Sequence, residues 1–383
     1  MLKYKIVTLY SLVFFFEFAF FCSLPILSSE KNLSAKAISG MLSFAVILEC
    51  ILMLTITNKL NTLSKGWIFL ISCLLRAISF SFLILFSGLY SWLLFFSTLA
   101  ISKAIAKPFT RDLLSEIIPK RKLKKAFYNY SFSQNAAIVL APIAGAYFAN
   151  NNYKNTFFTT IIIISLFFAF ICFFTWKKKS KKIKIQNSIT RPKNLGSSSF
   201  LFLLFSSFFS FSLMGIFITA TTLANRINNF FNDYVGLFFT IVGLVVCLWQ
   251  LIFSKLFDFS ESIIKYTLIL LSLISATYFS GGVTIAIIAL IAYSIFEAII
   301  IPEIYSTSSN IVNKEKSSMA FSLLLVMANI GEAVGSTSIG FIVDLFDYRS
   351  GYLINFFILL FSLLSVITLI ISKKLGVKYN VIN

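Results

Sequence analysis

Long apolar runs recur along the whole chain, and they restrict its possible folds more than any other feature. A helix needs about 20 apolar residues to cross the hydrocarbon core of a bilayer. The 383 residues contain twelve such runs, and only 12% of the residues are charged. Soluble proteins carry roughly twice that fraction, about 25%. The sequence therefore predicts an all-α integral membrane protein with about twelve transmembrane helices.

Each predicted span is an apolar run bounded by polar or charged residues. The ends of the spans are defined to within about 2–4 residues. Numbered 1 to 12 in chain order, the spans are Lys5–Leu27, Ala37–Thr57, Trp67–Phe86, Ser91–Leu114, Ala126–Ala149, Thr156–Trp176, Phe200–Ala224, Tyr234–Phe253, Ile264–Ser280, Val283–Tyr305, Ser318–Val343 and Tyr352–Ile371.

The basic residues are distributed unevenly between the segments that join the spans. Of the 33 Lys and Arg residues, 24 fall in alternate segments that include both ends of the chain, and five fall in the intervening loops. Cytoplasmic loops carry this excess in membrane proteins. We therefore expect a multi-pass protein with cytoplasmic N and C termini. The richness in Ile, Lys, Asn and Phe is typical of an AT-rich bacterial genome, so we expect the protein to lie in a bacterial inner membrane.

The longest polar stretch separates six spans from six. It covers 177–199 and carries eight Lys and Arg residues. We expect an N-terminal six-helix bundle over 1–176, a basic cytoplasmic linker over 177–199 and a C-terminal six-helix bundle over 200–383. Because the net charge of +19 is concentrated in loops of this kind, it predicts contact with anionic lipid headgroups and no binding of nucleic acid.

The two halves also resemble each other at a nearly constant offset. Pro108 and Pro302 are 194 residues apart, and so are Phe127 and Phe321. Agreement across several helices indicates a duplicated, pseudo-symmetric architecture. Transporters are commonly built in this way, with the solute site at the interface between the repeats.

Three segments resemble motifs of the major facilitator superfamily. The stretch Pro108–Pro119, with the basic residues after it, is similar to that superfamily's passage from helix 4 to helix 5. Gly340–Asp344 resembles its passage from helix 11 to helix 12. Span 5 resembles the motif Gly-x-x-x-Gly-Pro-x-x-Gly-Gly of its antiporters, and it has alanine in place of three of the glycines. The matching positions are Ala137, Ala141, Pro142 and Gly145.

The resemblance implies a major facilitator fold that is similar to the drug:proton antiporters. For the small residues of span 5, ordinary close packing of helices is an equally good interpretation. The superfamily's loop motif survives only in part. Thr62 stands at its acidic position after span 2, whereas Lys255, Leu256 and Asp258 form a remnant after span 8.

Four ionisable residues are candidates for the transport site. An ionisable group at the bilayer centre costs at least about 2.5–3.5 kcal/mol, so it must pair, face water or change protonation state. Glu17, Lys103 and Glu297 fall at mid-span in spans 1, 4 and 10, which line the central cavity in the resembled superfamily. Glu332 in span 11 is a further candidate. We expect these groups to bind protons or solute, and the alternative is a set of static ion pairs.

Other charges within the spans have a structural interpretation. Glu49 and Arg76 lie at similar depths from the inner ends of spans 2 and 3, which predicts a structural ion pair. Lys107 and Arg111 follow Lys103 on one face of span 4. We expect these two to extend towards the cytoplasmic interface or to pair with nearby acidic residues, although a basic ladder could also guide an anionic solute.

Several classes of function are excluded by missing residues. The chain has no histidine, which removes the commonest general base and metal ligand. No phosphate-binding loop of the Gly-x-x-x-x-Gly-Lys-Ser/Thr type occurs, so the chain carries no nucleotide-driven motor of that kind. We therefore expect neither an enzyme nor a bound metal or other cofactor.

These observations together predict a secondary transporter that works by alternating access. The expected activity is proton-coupled export of a small amphiphilic solute by a monomer. One alternative is proton-coupled uptake of a small metabolite, because Lys103 could hold an anion. The other is a membrane sensor or assembly protein on the same fold, which the eroded loop motif would allow.

Overall fold

A computed structural model describes nine stretches of the chain. They are residues 35–60, 63–86, 88–150, 153–176, 195–222, 235–256, 261–313, 316–346 and 350–381. Span 1 with Glu17 lies outside the described residues, as do Asp258 and most of the predicted linker. Within the described stretches, the regular structure is helical throughout and contains no β-strand.

Eleven α-helices are described, and each corresponds to one of the predicted spans 2 to 12. Seven of them are long and apolar enough to cross a membrane. The predicted all-α membrane class is therefore confirmed. In chain order the helices are α1 Ala35–Leu60, α2 Lys65–Leu85, α3 Leu89–Ile117, α4 Lys120–Asn150, α5 Lys154–Trp176, α6 Ser198–Thr222, α7 Val235–Leu256, α8 Glu261–Ser275, α9 Val283–Ile311, α10 Ser317–Phe346 and α11 Ser350–Val381.

One boundary differs clearly from the prediction, because α8 ends at Ser275 and not at Ser280. The chain forms turns from 276 to 282, ahead of α9. Asn355 on α11 stabilises this arrangement, since its Oδ1 accepts a hydrogen bond from the Phe279 backbone N–H at 3.0 Å. Its Nδ2 donates to Ser280 Oγ at 2.9 Å. A side chain from a distant helix thus replaces the helical hydrogen bonds that the apolar pattern predicted.

The chain divides into two compact units. Unit 1 comprises Met1–Pro119 and Ser133–Ile189, and unit 2 comprises Lys120–Phe132 and Thr190–Asn383. The first thirteen residues of α4 therefore belong with unit 2, whereas the rest of that helix belongs with unit 1. Within unit 2, the repeat-related residues Phe127 and Phe321 contact each other, with ring centroids 6.0 Å apart.

A seam of small residues joins α6 to α10 in unit 2. A Cβ atom added to Gly331 would overlap the backbone carbonyl of Phe208, and one added to Gly335 would overlap that of Ser212. Likewise, a Cβ atom added to Gly215 on α6 would overlap the backbone carbonyl of Glu332 on α10. Small residues let membrane helices approach closely, so these glycines allow α6 and α10 to pack backbone against backbone.

Serine hydroxyls join α6 to α11 on another face. Ser199 and Ser372 each donate to the other's backbone carbonyl at 2.7 Å. Two and three turns further along α6, Ser206 donates to the Ser365 carbonyl at 3.0 Å, and the hydroxyls of Ser210 and Ser365 lie 2.5 Å apart. These hydroxyls act between helices, where each hydrogen bond contributes about 0.6 kcal/mol on average.

Candidate functional site

The predicted cavity residues of the C-terminal half lie at the middle of their helices. Glu297 stands 14 residues from each end of α9, and Glu332 stands 15 and 14 residues from the ends of α10. Both side chains are partly exposed. Two carboxylates thus lie at mid-helix within one unit. The free-energy cost of an unpaired charge is highest at the middle of a membrane span.

A hydrogen bond links one of these carboxylates to a tyrosine, and an electrostatic interaction links the two carboxylates. The hydroxyl of Tyr293, one helical turn before Glu297 on α9, donates a hydrogen bond to the Glu297 carboxylate. Glu297 also interacts electrostatically with Glu332. Two of the four residues that the sequence predicted for the site thus interact electrostatically, and a phenol hydroxyl that the sequence did not single out lies beside Glu297. Their role in transport stays a prediction.

Helix α6 positions both sides of this acid pair. The ring of Phe217 stacks on that of Tyr293, with centroids 3.9 Å apart and planes inclined by 20°. Two residues earlier, Gly215 approaches the backbone carbonyl of Glu332, and its own carbonyl accepts a hydrogen bond from Ser336 Oγ at 3.3 Å. Helix α6 therefore packs against α9 beside Tyr293 and against α10 beside Glu332.

The charges of unit 1 form a separate group. Lys103 stands 14 residues from each end of α3 and is partly exposed. Lys107, one turn further on, forms an ion pair with buried Glu49 on α1 at 2.6 Å. Arg76 is buried on α2, with 1% of its surface exposed. The contact between Glu49 and Arg76 stays a prediction, while the ion pair of Glu49 with Lys107 was not foreseen.

A second ion pair of unit 1 lies at the start of α2, next to the eroded loop motif. Lys65 pairs with Asp112 on α3, and its Nζ lies 4.7 Å from the centroid of the Phe109 ring. Phe109 is fully buried in an apolar cluster with Ile68 and Ile105. A lysine at the last position of the motif therefore attaches the beginning of α2 to α3, although the acidic position is lost.

Unit 2 contains a buried charge cluster that sequence analysis missed. Glu303 on α9 is 2% exposed and forms ion pairs with Lys124 of α4 and, at 2.6 Å, with Lys373 of α11. The Tyr128 hydroxyl lies 3.4 Å from the Glu303 carboxylate and 3.3 Å from the Ile299 carbonyl. Comparing how far each charged residue lies from the inner end of its span could have found this cluster, since all three charges fall near the inner ends of predicted spans.

The remaining predicted positions are located as follows. Ala137, Ala141, Pro142 and Gly145 lie within the helical stretch of α4. Lys255 and Leu256 are the last two residues of α7. The roles predicted for these positions stay predictions.

Comparison with known proteins assigns the chain to a family. The family model described as Major Facilitator Superfamily matches residues 6–286 and 200–378, and so extends over nearly all of the chain. This chain belongs to the major facilitator superfamily. Members of this superfamily are membrane transporters and not enzymes, so the predicted family and the expected absence of enzymatic activity are confirmed. No curated protein sequence matches the chain at a significant level.

Solved structures of the superfamily share this fold at low sequence identity. The human organic anion transporter MFSD10 superposes with a TM-score of 0.75 and 14% identity, over 95% of this chain and 99% of that one. The E. coli fucose:proton symporter FucP gives 0.75 and 15%, over 97% and 98%. A bacterial homologue of the iron transporter ferroportin, in an outward-facing state, gives 0.73 and 13%, over 97% and 99%. At these identities the similarity shows the fold alone.

Proposed function

We propose that this secondary transporter exports a small amphiphilic solute in exchange for protons. The proposal is carried by the mid-helix positions of Glu297 and Glu332, by the electrostatic interaction between them and by the Tyr293 hydroxyl beside Glu297. Lys103 and Glu17 are included as cavity residues, as the sequence predicts. The protein is expected to act as a monomer in the inner membrane of a bacterium, with both termini in the cytoplasm.

The acid pair suits proton coupling for an electrostatic reason. Two carboxylates that share a site repel each other when both are ionised, and binding of one proton removes that repulsion. The tyrosine hydroxyl can donate to whichever oxygen of Glu297 is ionised. In the proposed cycle, water delivers and removes the proton as the site opens to each side of the membrane in turn.

The test uses everted membrane vesicles that contain the protein and an imposed proton gradient. We expect an added solute to trigger proton release, reported by a pH-sensitive dye, and we expect Glu297→Gln to abolish that release. Glutamine keeps the shape of the side chain but cannot exchange a proton. The matched control is Glu261→Gln, which changes an exposed glutamate at the start of α8 and should leave proton release intact.

The remaining outcomes separate the competing interpretations. Transport that still follows the proton gradient in the double variant Glu17→Gln/Glu297→Gln contradicts the assignment of these residues. Solute entry together with protons into whole cells identifies an uptake symporter. Absence of transport in both preparations, with a normally folded protein, favours a sensor or assembly role.

A further inference from the structure

We propose that unit 2 binds the headgroup of an anionic phospholipid around Glu303, at the ends of α4, α9 and α11 that the sequence predicts to face the cytoplasm. In this site the lipid phosphate contacts Lys124 and Lys373, and the exposed Lys125 and Lys374 flank it. The surface is separate from the mid-helix residues proposed for transport, so the inference goes beyond the proposed function.

The first argument is the balance of charge within the cluster. The carboxylate of Glu303 is shared between two lysines, because Lys124 contacts its Oε1 and Lys373 contacts its Oε2 at 2.6 Å. Within the described stretches, neither lysine forms an ion pair with a second acid. The cluster therefore keeps one uncompensated positive charge next to a buried carboxylate.

The surrounding helix ends add further positive charge. Residues 120–132 of α4, 303–311 of α9 and 369–381 of α11 contain eight lysine and arginine residues, five on α4 and three on α11, whereas Glu303 is their one acid. Like charges four residues apart destabilise a helix, and two such pairs of basic residues occur in the first six positions of α4. An anion from outside the chain offsets this repulsion.

Both lysines of the cluster can reach such an anion. The side chains of Lys124 and Lys373 are 36% and 20% exposed, whereas that of Glu303 is 2% exposed. A lysine ammonium has three donors, and one ion pair with Glu303 leaves donors for a second acceptor. Lysine binds phosphate as a point charge, so these two side chains suit a phosphate group at the protein surface.

A stripe on α11 favours a lipid over a soluble anion. Phe356, Leu360 and Ile367 are exposed apolar residues, and Lys374 is exposed as well. Successive members are four or seven residues apart, so they share one face of the helix. An acyl chain can pack along the apolar part while its headgroup contacts Lys374. Because Lys374 lies two residues before the end of the candidate membrane span, Ser350–Gly376, it falls close to the headgroup layer.

The experiment titrates the purified full-length protein in detergent with phosphatidylglycerol and counts bound lipid by native mass spectrometry. We expect one phosphatidylglycerol to be retained at concentrations where phosphatidylcholine with the same acyl chains is not. Lys125→Gln/Lys374→Gln should weaken this binding by about 25-fold, at about fivefold for each lysine. Glu303→Gln should strengthen it by about fivefold, because the net charge of the cluster rises by one.

Two further variants serve as controls. Lys125→Arg/Lys374→Arg preserves both charges and should preserve lipid binding. Lys265→Gln removes a lysine near the beginning of α8, which is another helix end of unit 2 on the same predicted side of the membrane, and it should leave binding unchanged. Lys125 and Lys374 are exposed, so their substitution should not prevent folding.

The inference is overturned if phosphatidylglycerol binds Lys125→Gln/Lys374→Gln as tightly as the unaltered protein, or if phosphatidylcholine is retained equally well. An equal loss of binding in Lys265→Gln would indicate general attraction to basic helix ends and reject a defined site. Displacement of the lipid by an equal concentration of glycerol phosphate would assign the site to a soluble anion. Unchanged binding in Glu303→Gln would reject the cluster as the centre of the site.

Discussion

The double substitution Lys124→Met/Lys373→Met is expected to destabilise unit 2 by about 3–5 kcal/mol, because it leaves a buried carboxylate without either of its cationic partners. Glu303 is almost completely buried, and both lysines contact it directly. Methionine preserves most of the side-chain volume and removes only the charge. Thermal unfolding in detergent, followed with a thiol-reactive dye that reports exposure of buried Cys247, measures the loss.

Two further variants test whether the buried charge is the cause. Adding Glu303→Gln to the double variant removes the uncompensated carboxylate, so we expect a large part of the lost stability to return. Lys122→Met and Lys374→Met change exposed lysines on the same two helices, and they should shift the unfolding temperature little. Equal losses in the double variant and in this exposed pair would show that the cluster contributes nothing specific.

Gly335→Ala is expected to destabilise the seam between α6 and α10 by about 1–3 kcal/mol, as overpacking typically does. The added Cβ atom would overlap the backbone of Ser212, and a backbone cannot rotate away as a side chain can. The two helices must therefore separate, which also displaces Glu332 one turn away. We expect a lower unfolding temperature and weaker proton-coupled transport in the same variant.

Gly340→Ala provides the matched control for this seam. It lies on the same helix, and a Cβ atom added there meets nothing within 4 Å. Alanine favours a helix over glycine by about 1 kcal/mol, so this variant should be as stable as the unaltered protein or slightly more stable. If Gly335→Ala behaved like Gly340→Ala, the close approach of the two helices would not be essential for stability.

The apolar runs and their boundaries predicted the fold class directly. A span of about 20 apolar residues has few stable alternatives to a membrane helix, and every described helix corresponds to one predicted span. The early end of α8 at Ser275 has a tertiary cause. Asn355 belongs to a different helix, and its contact with Phe279 and Ser280 leaves no pattern in the local sequence.

Ion pairs were harder to predict than helices. Depth along a helix is readable from residue spacing, but rotation about the helix axis and the choice of neighbouring helix are not. Depth alone suggested Arg76 as a partner of Glu49, and it did not suggest Lys107 of α3, which lies 2.6 Å from the Glu49 carboxylate. Glu303 and its two lysines share the depth of the inner span ends, but the sequence does not show that Lys124 and Lys373 lie on the helices next to Glu303.

The sequence by itself determined that this protein is a helical membrane transporter with ionisable residues at mid-span, since hydropathy and charge distribution depend only on residue order. Only the tertiary structure decided which of those residues meet. Glycines of the α6–α10 seam and the stacking of Phe217 on Tyr293 pack α6 against the helices that carry Glu332 and Glu297. Packing between helices is a property of surfaces in three dimensions, and a linear pattern does not encode which surfaces come into contact.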